Sequence, residues 1–239
     1  MILQAALNGP RTKGENPAVP VTGAELREEA TACERAGARS FHIHPRDARG
    51  RERLDAPVVD AAVATVRNGT RWPVGVTSGG WIEGETRRRV RDVTSWTEPD
   101  FASVNLREED CLDVIRALLG TAIGVEAGLA TAEDAERLVR SDLAPRVLRV
   151  LVEPYDLPAE EALAMAGAIH EVLDRARMDV PRLEHGFGDA AWPLVEDSVR
   201  RGIDTRIGFE DTLLLPDGTP ARSNAELVAA ARARERSKT

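Results

Sequence analysis

The feature that most constrains this chain is a regular alternation of two kinds of segment. Eight short runs of β-branched and apolar residues lie at 2–7, 40–43, 74–76, 101–104, 122–125, 147–152, 182–184 and 205–209. Each is followed by a stretch whose apolar residues recur at helical spacing: 23–36, 57–67, 84–92, 110–119, 132–140, 159–176, 190–200 and 224–231. Helix starts are marked by Thr22 with Glu25 and by Ser223 with Glu226, both at capping-box spacing, and by Thr131 followed by Glu133 and Asp134. Gly37 and Gly202 fall where a helix must end before the next strand. Strict alternation implies a parallel sheet covered by helices. Eight units close such a sheet into a (β/α)8 TIM barrel, and α/β barrels commonly reach this length as one domain. An open doubly wound sheet would normally carry a Gly-rich fingerprint after its first strand, and "LNGPRTKGENP" is not GxGxxG. The expectation is therefore one α/β domain over residues 1–239, frayed at 232–239.

Composition narrows the partners. A hydrophobic content of 42% over 239 residues suffices for one sizeable core. A formal net charge of −8 argues against nucleic acid or an anionic membrane surface as the main partner. The one dense basic cluster, "RRRVR" at 87–91, reads as a solvated helix face. Cys33 and Cys111 lack a CxxC partner, which fits a reducing compartment without a disulfide framework. The opening "MILQAALNGP" has no basic leader and reads as a strand rather than a signal peptide. No apolar run approaches the roughly 18 residues of a membrane span, so a cytoplasmic location is expected.

Barrel active sites lie where strands end and loops begin, so chemistry is sought there. Strand two ends in "SFHIHPRD", where His42 and His44, two apart, share one face and can share one ion. Imidazole nitrogens suit Zn²⁺, and a carboxylate as third ligand would leave a position open for substrate. Two histidines merely hydrogen-bonded in a polar barrel mouth account for the spacing equally well. The last strand runs into "RIGFEDT", and closure brings it next to strand one, so Glu210 is a reasonable third ligand. The same pair of acids also reads as a solvated strand end. Arg206 lies four residues earlier on the same face. Asp211 joins it only if the chain curls after Phe209.

Other strand ends are polar too. Thr77, Ser78, Gly79 and Gly80 follow strand three, and the glycines let backbone N–H groups approach an anion. Ser103 and Asn105 end strand four on one face, and Glu126 closes strand five. Gly186 and Gly188 precede a helix N-terminus that offers an anion seat. His185 reads as a hydrogen-bonding loop histidine with a fourth-ligand role as the alternative. His170, inside a long helix, reads as structural.

Three stretches give the chain a recognisable likeness: "NGPRTKGENPAVPVTGAELREEATACERAGA", "FHIHPRD" and "RIGFEDTLLLPDGTPARSNAELV". With "TSGG" between them, nearly the whole chain resembles the β-keto acid cleavage enzymes, the family of the 3-keto-5-aminohexanoate cleavage enzyme. The resemblance implies a zinc-dependent (β/α)8 barrel, usually a homotetramer, that converts a β-keto acid and acetyl-CoA into acetoacetate and a new acyl-CoA. It implies His42, His44 and Glu210 as zinc ligands and Arg206 with Asp211 as the catalytic pair. It places Thr77, Gly80 and Ser103 against the substrate and Glu126 as a polar active-site glutamate. On this basis Asp211, held by Arg206, takes the proton between the keto and carboxylate groups.

Three departures from the family pattern bear on this expectation. The chain is compact between strands four and five, which removes wall or lid. Near Arg11 the amine-substrate members carry a glutamate, so a cation there favours a substrate with a second anionic or polar group. Asp189 stands where a basic residue is common, which weakens a contact to CoA phosphate. Two other functions remain in view: a zinc hydrolase on the same rim, and a metal-binding barrel without turnover.

Overall fold

Alternate side chains of a strand face opposite ways, so each strand of a closed barrel sends one set outward to the helices and one set into the ring. In the computed structural model, which describes residues 1–236, the strands are β1 (Leu3–Ala6), β2 (Ser40–Ile43), β3 (Val74–Thr77), β4 (Phe101–Asn105), β5 (Gly124–Leu129), β6 (Arg149–Val152), β7 (Arg182–Glu184) and β8 (Asp204–Ile207). Every neighbouring pair is parallel, and β8 pairs with β1 to close the ring in the order β1 to β8. The helices are α1 (Gly23–Ala36), α2 (Ala56–Arg67), α3 (Thr86–Thr94), α4 (Cys111–Leu118), α5 (Ala132–Arg140), α6 (Ala159–Arg175), α7 (Ala191–Arg201) and α8 (Asn224–Arg236). The protein is a single-domain (β/α)8 TIM barrel.

The outward set is mostly apolar: Leu3, Ala5, Phe41, Ile43, Val74, Val76, Ala102, Val104, Val125 and Ala127 pack with α-helical Leu26, Val59, Val63, Ile115 and Leu138 in one continuous core. The inward set is largely polar. At its lower level Gln4 of β1 donates to Glu126 of β5 at 2.8 Å, and Arg149 of β6 reaches Glu126 at 2.7 Å. The Phe101 ring joins that level, occupying the space a side chain at Gly75 would need.

Capping sets the helix phases. Thr22 and Thr131 cap α1 and α5 with reciprocal boxes, closed by Glu25 and Asp134, and Gly37 (φ 118) and Gly202 (φ 73) end α1 and α7 in the left-handed region. Three expectations change. β5 begins later and runs further than 122–125, so Glu126 sits within the strand rather than at its end. α8 continues past 231 to Arg236, because Arg232 donates to the Gly37 carbonyl at 3.0 Å and fastens the helix to α1, so the fraying expected from residue 232 does not begin there. Positions 237–239 of that expected tail lie outside the described residues. Finally, the basic cluster is not uniformly solvated. Arg89 is fully buried, pairs with Glu108 and with Asp110 (2.7 Å), and donates from Nε to the Ser78 carbonyl at 2.6 Å. It thereby clamps the β3 loop to the β4 loop. Among the described residues no helix is long and apolar enough to cross a membrane.

Candidate metal and substrate site

Two-residue spacing puts Ser40 and His42 on the inward face of β2, and His44 continues that face into the loop. Asn8 fixes the position of His44 from the β1 loop: its Oδ1 accepts from the His44 N–H at 2.9 Å and its Nδ2 donates to the His44 carbonyl at 3.0 Å. Glu52 holds the ring, accepting at Nδ1 of His44 with one oxygen and from the Trp81 indole N–H at 3.2 Å with the other. Nε2 of His44 is left turned toward the barrel axis.

The curl anticipated after Phe209 is present. The N–H groups of Asp211 and Thr212 both donate to the Gly208 carbonyl, at 2.9 and 3.0 Å, so the chain turns as soon as β8 ends. Asn224 pins this turn, accepting from the Phe209 N–H at 2.7 Å and donating to the Leu7 carbonyl at 3.0 Å. Only glycine fits at 208, where a Cβ would stand 2.0 Å from the Ala6 oxygen. The turn swings Glu210 and Asp211 back onto one guanidinium. Arg206 Nη2 lies 2.6 Å from Glu210 Oε1 and 2.8 Å from Asp211 Oδ1.

His42, His44 and Glu210 therefore converge, with one ligand-type atom from each lying within 4.8 Å of the others. Glu210 Oε2 is 3.7 Å from His42 Nε2, and Oε1 is 3.5 Å from His44 Nε2. Zn–N and Zn–O bonds of about 2.0–2.1 Å put tetrahedral ligand atoms about 3.3–3.4 Å apart, close to these separations. Glu210 Oε2 is buried and accepts no hydrogen bond, as suits an oxygen reserved for an ion. The residues fit a divalent cation.

The electrostatics agree. Burial disfavours charge on Glu210, yet Arg206, His44 and His42 outweigh it and hold the carboxyl well below its ordinary range. Burial drives His42 well below its usual value and leaves it neutral, as a ligand must be. At His44 burial opposes the proton, but Glu210 and Glu52 raise the ring to about 9. Those same carboxylates would favour a cation at that spot. Arg206 is raised because Asp211 and Glu210 overcome its burial.

Above the cluster opens a cavity of about 330 Å³ lined by Thr77, Trp81, Ser103, Asn105, Arg107, Glu153, Tyr155 and Phe187 in addition to His42, His44, Arg206 and Glu210. Thr77, Ser103 and Asn105 thus face it as expected. Four expected site residues do not line it. Asp211 is fully buried, paired with Arg206, which does line the cavity. Glu126 lies in the lower level of the barrel, committed to Gln4 and Arg149, because β5 starts later than its sequence suggested. Gly80 points away: its N–H donates to Glu108 at 3.0 Å, in the cleft beside Arg89. Arg11 turns outward to Glu15 at 2.9 Å, and its backbone serves locally: the N–H donates to the Asn8 carbonyl at 3.3 Å and the carbonyl accepts from Arg46 at 2.6 Å. His185 lies outside the metal cluster, its Nε2 hydrogen-bonded to Glu153 at 3.1 Å and its Nδ1 3.4 Å from Asp211 Oδ1. The seat at Gly188 is taken, since its N–H donates to the Asp211 carbonyl at 2.8 Å. His170 lies outside the barrel, 2.6 Å from Glu184.

Sequence reasoning missed Asn8, Glu52, Glu153, Arg107 and Tyr155. Glu52 and Glu153 carried a usable signal, acids in the loop after strand two and just beyond strand six, but neither had a spacing that singled it out.

The fold and this rim define a TIM barrel whose mouth joins a two-histidine, one-carboxylate cluster to a buried arginine–aspartate pair. A profile of the β-keto acid cleavage enzymes matches residues 1–141 and 158–237, and the chain belongs to that family. Among solved structures it is similar to ObcA in a binary complex with oxaloacetate (18% identity, TM-score 0.72, covering 93% of this chain and 64% of that one). It is equally similar to ObcA in a ternary complex with a C4-CoA adduct and oxalate (19% identity, TM-score 0.73, 93% and 64%). A type I 3-dehydroquinate dehydratase from Clostridium difficile follows at 12% identity and TM-score 0.64, covering 99% of this chain and 93% of that one. At these identities the likeness is one of fold. The chain spans about 64% of the length of the ObcA chains it matches.

Proposed function

We propose that this protein cleaves a β-keto acid with acetyl-CoA, releasing acetoacetate and the remaining acyl group as its CoA ester. The observation that carries this is the meeting of His42, His44 and Glu210 around one point, directly beside Arg206 and Asp211, in a chain of this family. ObcA, its structural neighbour, has been captured with oxaloacetate and with a C4-CoA adduct, which is compatible chemistry. A Zn²⁺ ion held by His42, His44 and Glu210 would act as a Lewis acid toward the keto oxygen of the substrate.

The chain's own groups do the rest. Asp211 takes the proton from the carbon between the keto and carboxylate groups, and Arg206 keeps that carboxylate aimed by a two-nitrogen contact at 2.8 and 3.1 Å. The substrate carbanion attacks the acetyl carbonyl, forming a carbon–carbon bond and expelling the CoA thiolate. The thiolate adds to the original keto carbon, the bond from that carbon to the former nucleophile breaks, and Asp211 returns its proton to the departing acetoacetate. The Ser103 hydroxyl and Asn105 amide make no hydrogen bond within the described residues, so both are available to orient substrate oxygens. Burial, with Glu210 and Glu153 nearby, raises Tyr155, which stays a phenol and adds no negative charge to the mouth. A tetramer is expected from the family resemblance alone.

The test is a panel of β-keto acids with acetyl-CoA and Zn²⁺, read as acetoacetate and acyl-CoA. Turnover should vanish in His42→Ala and Glu210→Gln together with bound zinc. Full activity in zinc-free enzyme would eliminate the scheme. Hydrolysis without CoA consumption would point to the hydrolase alternative.

A further inference from the structure

The charges around the cavity are unequally committed. Arg206 is held by Glu210 and Asp211, and Glu153 is held by His185. Arg107, by contrast, makes no ion pair among the described residues, although it lines the cavity. Its guanidinium lies 4.6 Å over the Tyr155 ring. An aromatic face stabilises a cation without consuming its N–H donors. Tyr155 in turn packs on Phe187 at 4.2 Å, and Phe187 on His185 at 5.1 Å. The ring beneath Arg107 is thus part of a wall that continues to His185.

The backbone that carries Arg107 is also set in place. Arg137 donates to the carbonyls of Leu106 (2.8 Å), Glu108 (3.0 Å) and Glu109 (2.9 Å), and the Leu106 N–H donates to Gly128 at 2.8 Å. These contacts fix the residues on both sides of Arg107. A pre-placed cation with free donors, at the rim of a cavity whose other cation is satisfied, has the properties of an anion subsite. The charge of Arg11, in the loop after β1, is by contrast turned away to Glu15.

We propose that Arg107 binds a second carboxylate of the substrate and that the enzyme selects β-keto diacids, with the reacting β-keto acid end at the His42–His44–Glu210 cluster. This rests on the β-keto acid cleavage scheme above. The CoA phosphates offer the same anionic chemistry, so the experiment separates the two sources.

Wild type and Arg107→Met are compared on 3-oxoadipate and 3-oxohexanoate, with acetyl-CoA varied independently. The diacid-over-monoacid ratio of kcat/KM should fall roughly 10–100-fold in the variant, the range expected for losing a charge-assisted hydrogen bond. A ratio that does not change, or a tenfold rise in the KM of acetyl-CoA with the ratio intact, overturns the assignment. A binding arm needs no turnover: calorimetric titration of zinc-loaded protein with the unreactive pair adipate and hexanoate. Adipate should bind more tightly than hexanoate to wild type and lose that advantage in Arg107→Met. Equal binding of the two acids by wild type overturns the proposal even if β-keto acids are cleaved. If no β-keto acid is cleaved, the cleavage scheme fails by itself and the binding arm still decides the role of Arg107.

Discussion

Outside the barrel, between β7 and helices α6 and α7, a buried cluster should make stability depend on pH with a sign that can be worked out. Glu184 is fully buried; burial first, and then neighbouring Asp197, push its carboxyl up to about 9. His170, also buried, is pulled down to about 4 by burial and by Arg201 and Arg182. Arg182 sits 3.2 Å from His170 Nδ1 and can only donate, so the neutral ring carries its proton on Nε2, 2.6 Å from Glu184 Oε2. For Glu184, whose folded value is raised, the stability present below the unfolded value of 4.5 is lost as pH climbs toward 9. For His170, whose folded value is lowered, stability present above 6.5 is lost as pH falls toward 4. The two slopes oppose each other between 4.5 and 6.5, and above 6.5 only the Glu184 slope remains. One proton of difference corresponds to about 1.4 kcal/mol per pH unit, hence roughly 3 kcal/mol between pH 6.5 and 9. Glu184→Gln imitates the protonated acid, keeping an acceptor for His170 and a donor toward Asp197. Urea unfolding of both proteins across pH 6.5–9 should show the difference in stability shifting toward the variant by that amount as pH rises. Every other titrating group is common to both proteins and cancels. Parallel profiles would show that Glu184 is ionised in the folded state and would refute the reasoning.

Other outcomes follow from the site. Glu52→Gln leaves His44 in place but weakens what aims its ring, so zinc affinity in chelator competition should drop about 10–100-fold with little change in melting temperature. Gly9 has φ +56, and a Cβ there would meet Glu210 Cγ at 2.4 Å, so Gly9→Ala should displace the third ligand and lose zinc, measured by metal content after dialysis. Because Glu126 is a buried partner of Arg149 rather than a cavity group, Glu126→Gln should cost stability, about 3 kcal/mol by denaturant titration, as when one member of a buried ion pair is removed. The KM for substrate should stay near wild type, and a KM effect without lost stability would return Glu126 to the active site.

Much of the architecture was legible in the chain. Eight strand–helix units, the Thr22 and Thr131 caps and the terminating Gly37 and Gly202 are local signals, set by side-chain periodicity and backbone preference within a few residues. His42 and His44 were legible for the same reason, because two-residue spacing on one strand dictates a shared face. Glu210 required one further step, barrel closure, which follows from the count of eight. Local signals also misplaced three residues. A late start to β5 shifts Glu126 down one level of the barrel, and nothing in "IGVEAG" marks that start. Arg11 and Gly80 stand at loop positions facing the mouth, but Glu15 and Glu108 draw them elsewhere.

The sequence by itself determined a barrel of alternating strands and helices, from spacing along the chain, and with barrel closure offered His42, His44 and Glu210 as candidates to meet at its mouth. Only the tertiary structure decided which polar groups are free to act. Asn8 brackets His44, Glu52 aims it, Asn224 pins the turn that folds Asp211 onto Arg206, and Tyr155 carries an unpaired Arg107. Each of these contacts joins residues from different loops, and hydrogen bonds act over about 3 Å in space regardless of separation in sequence.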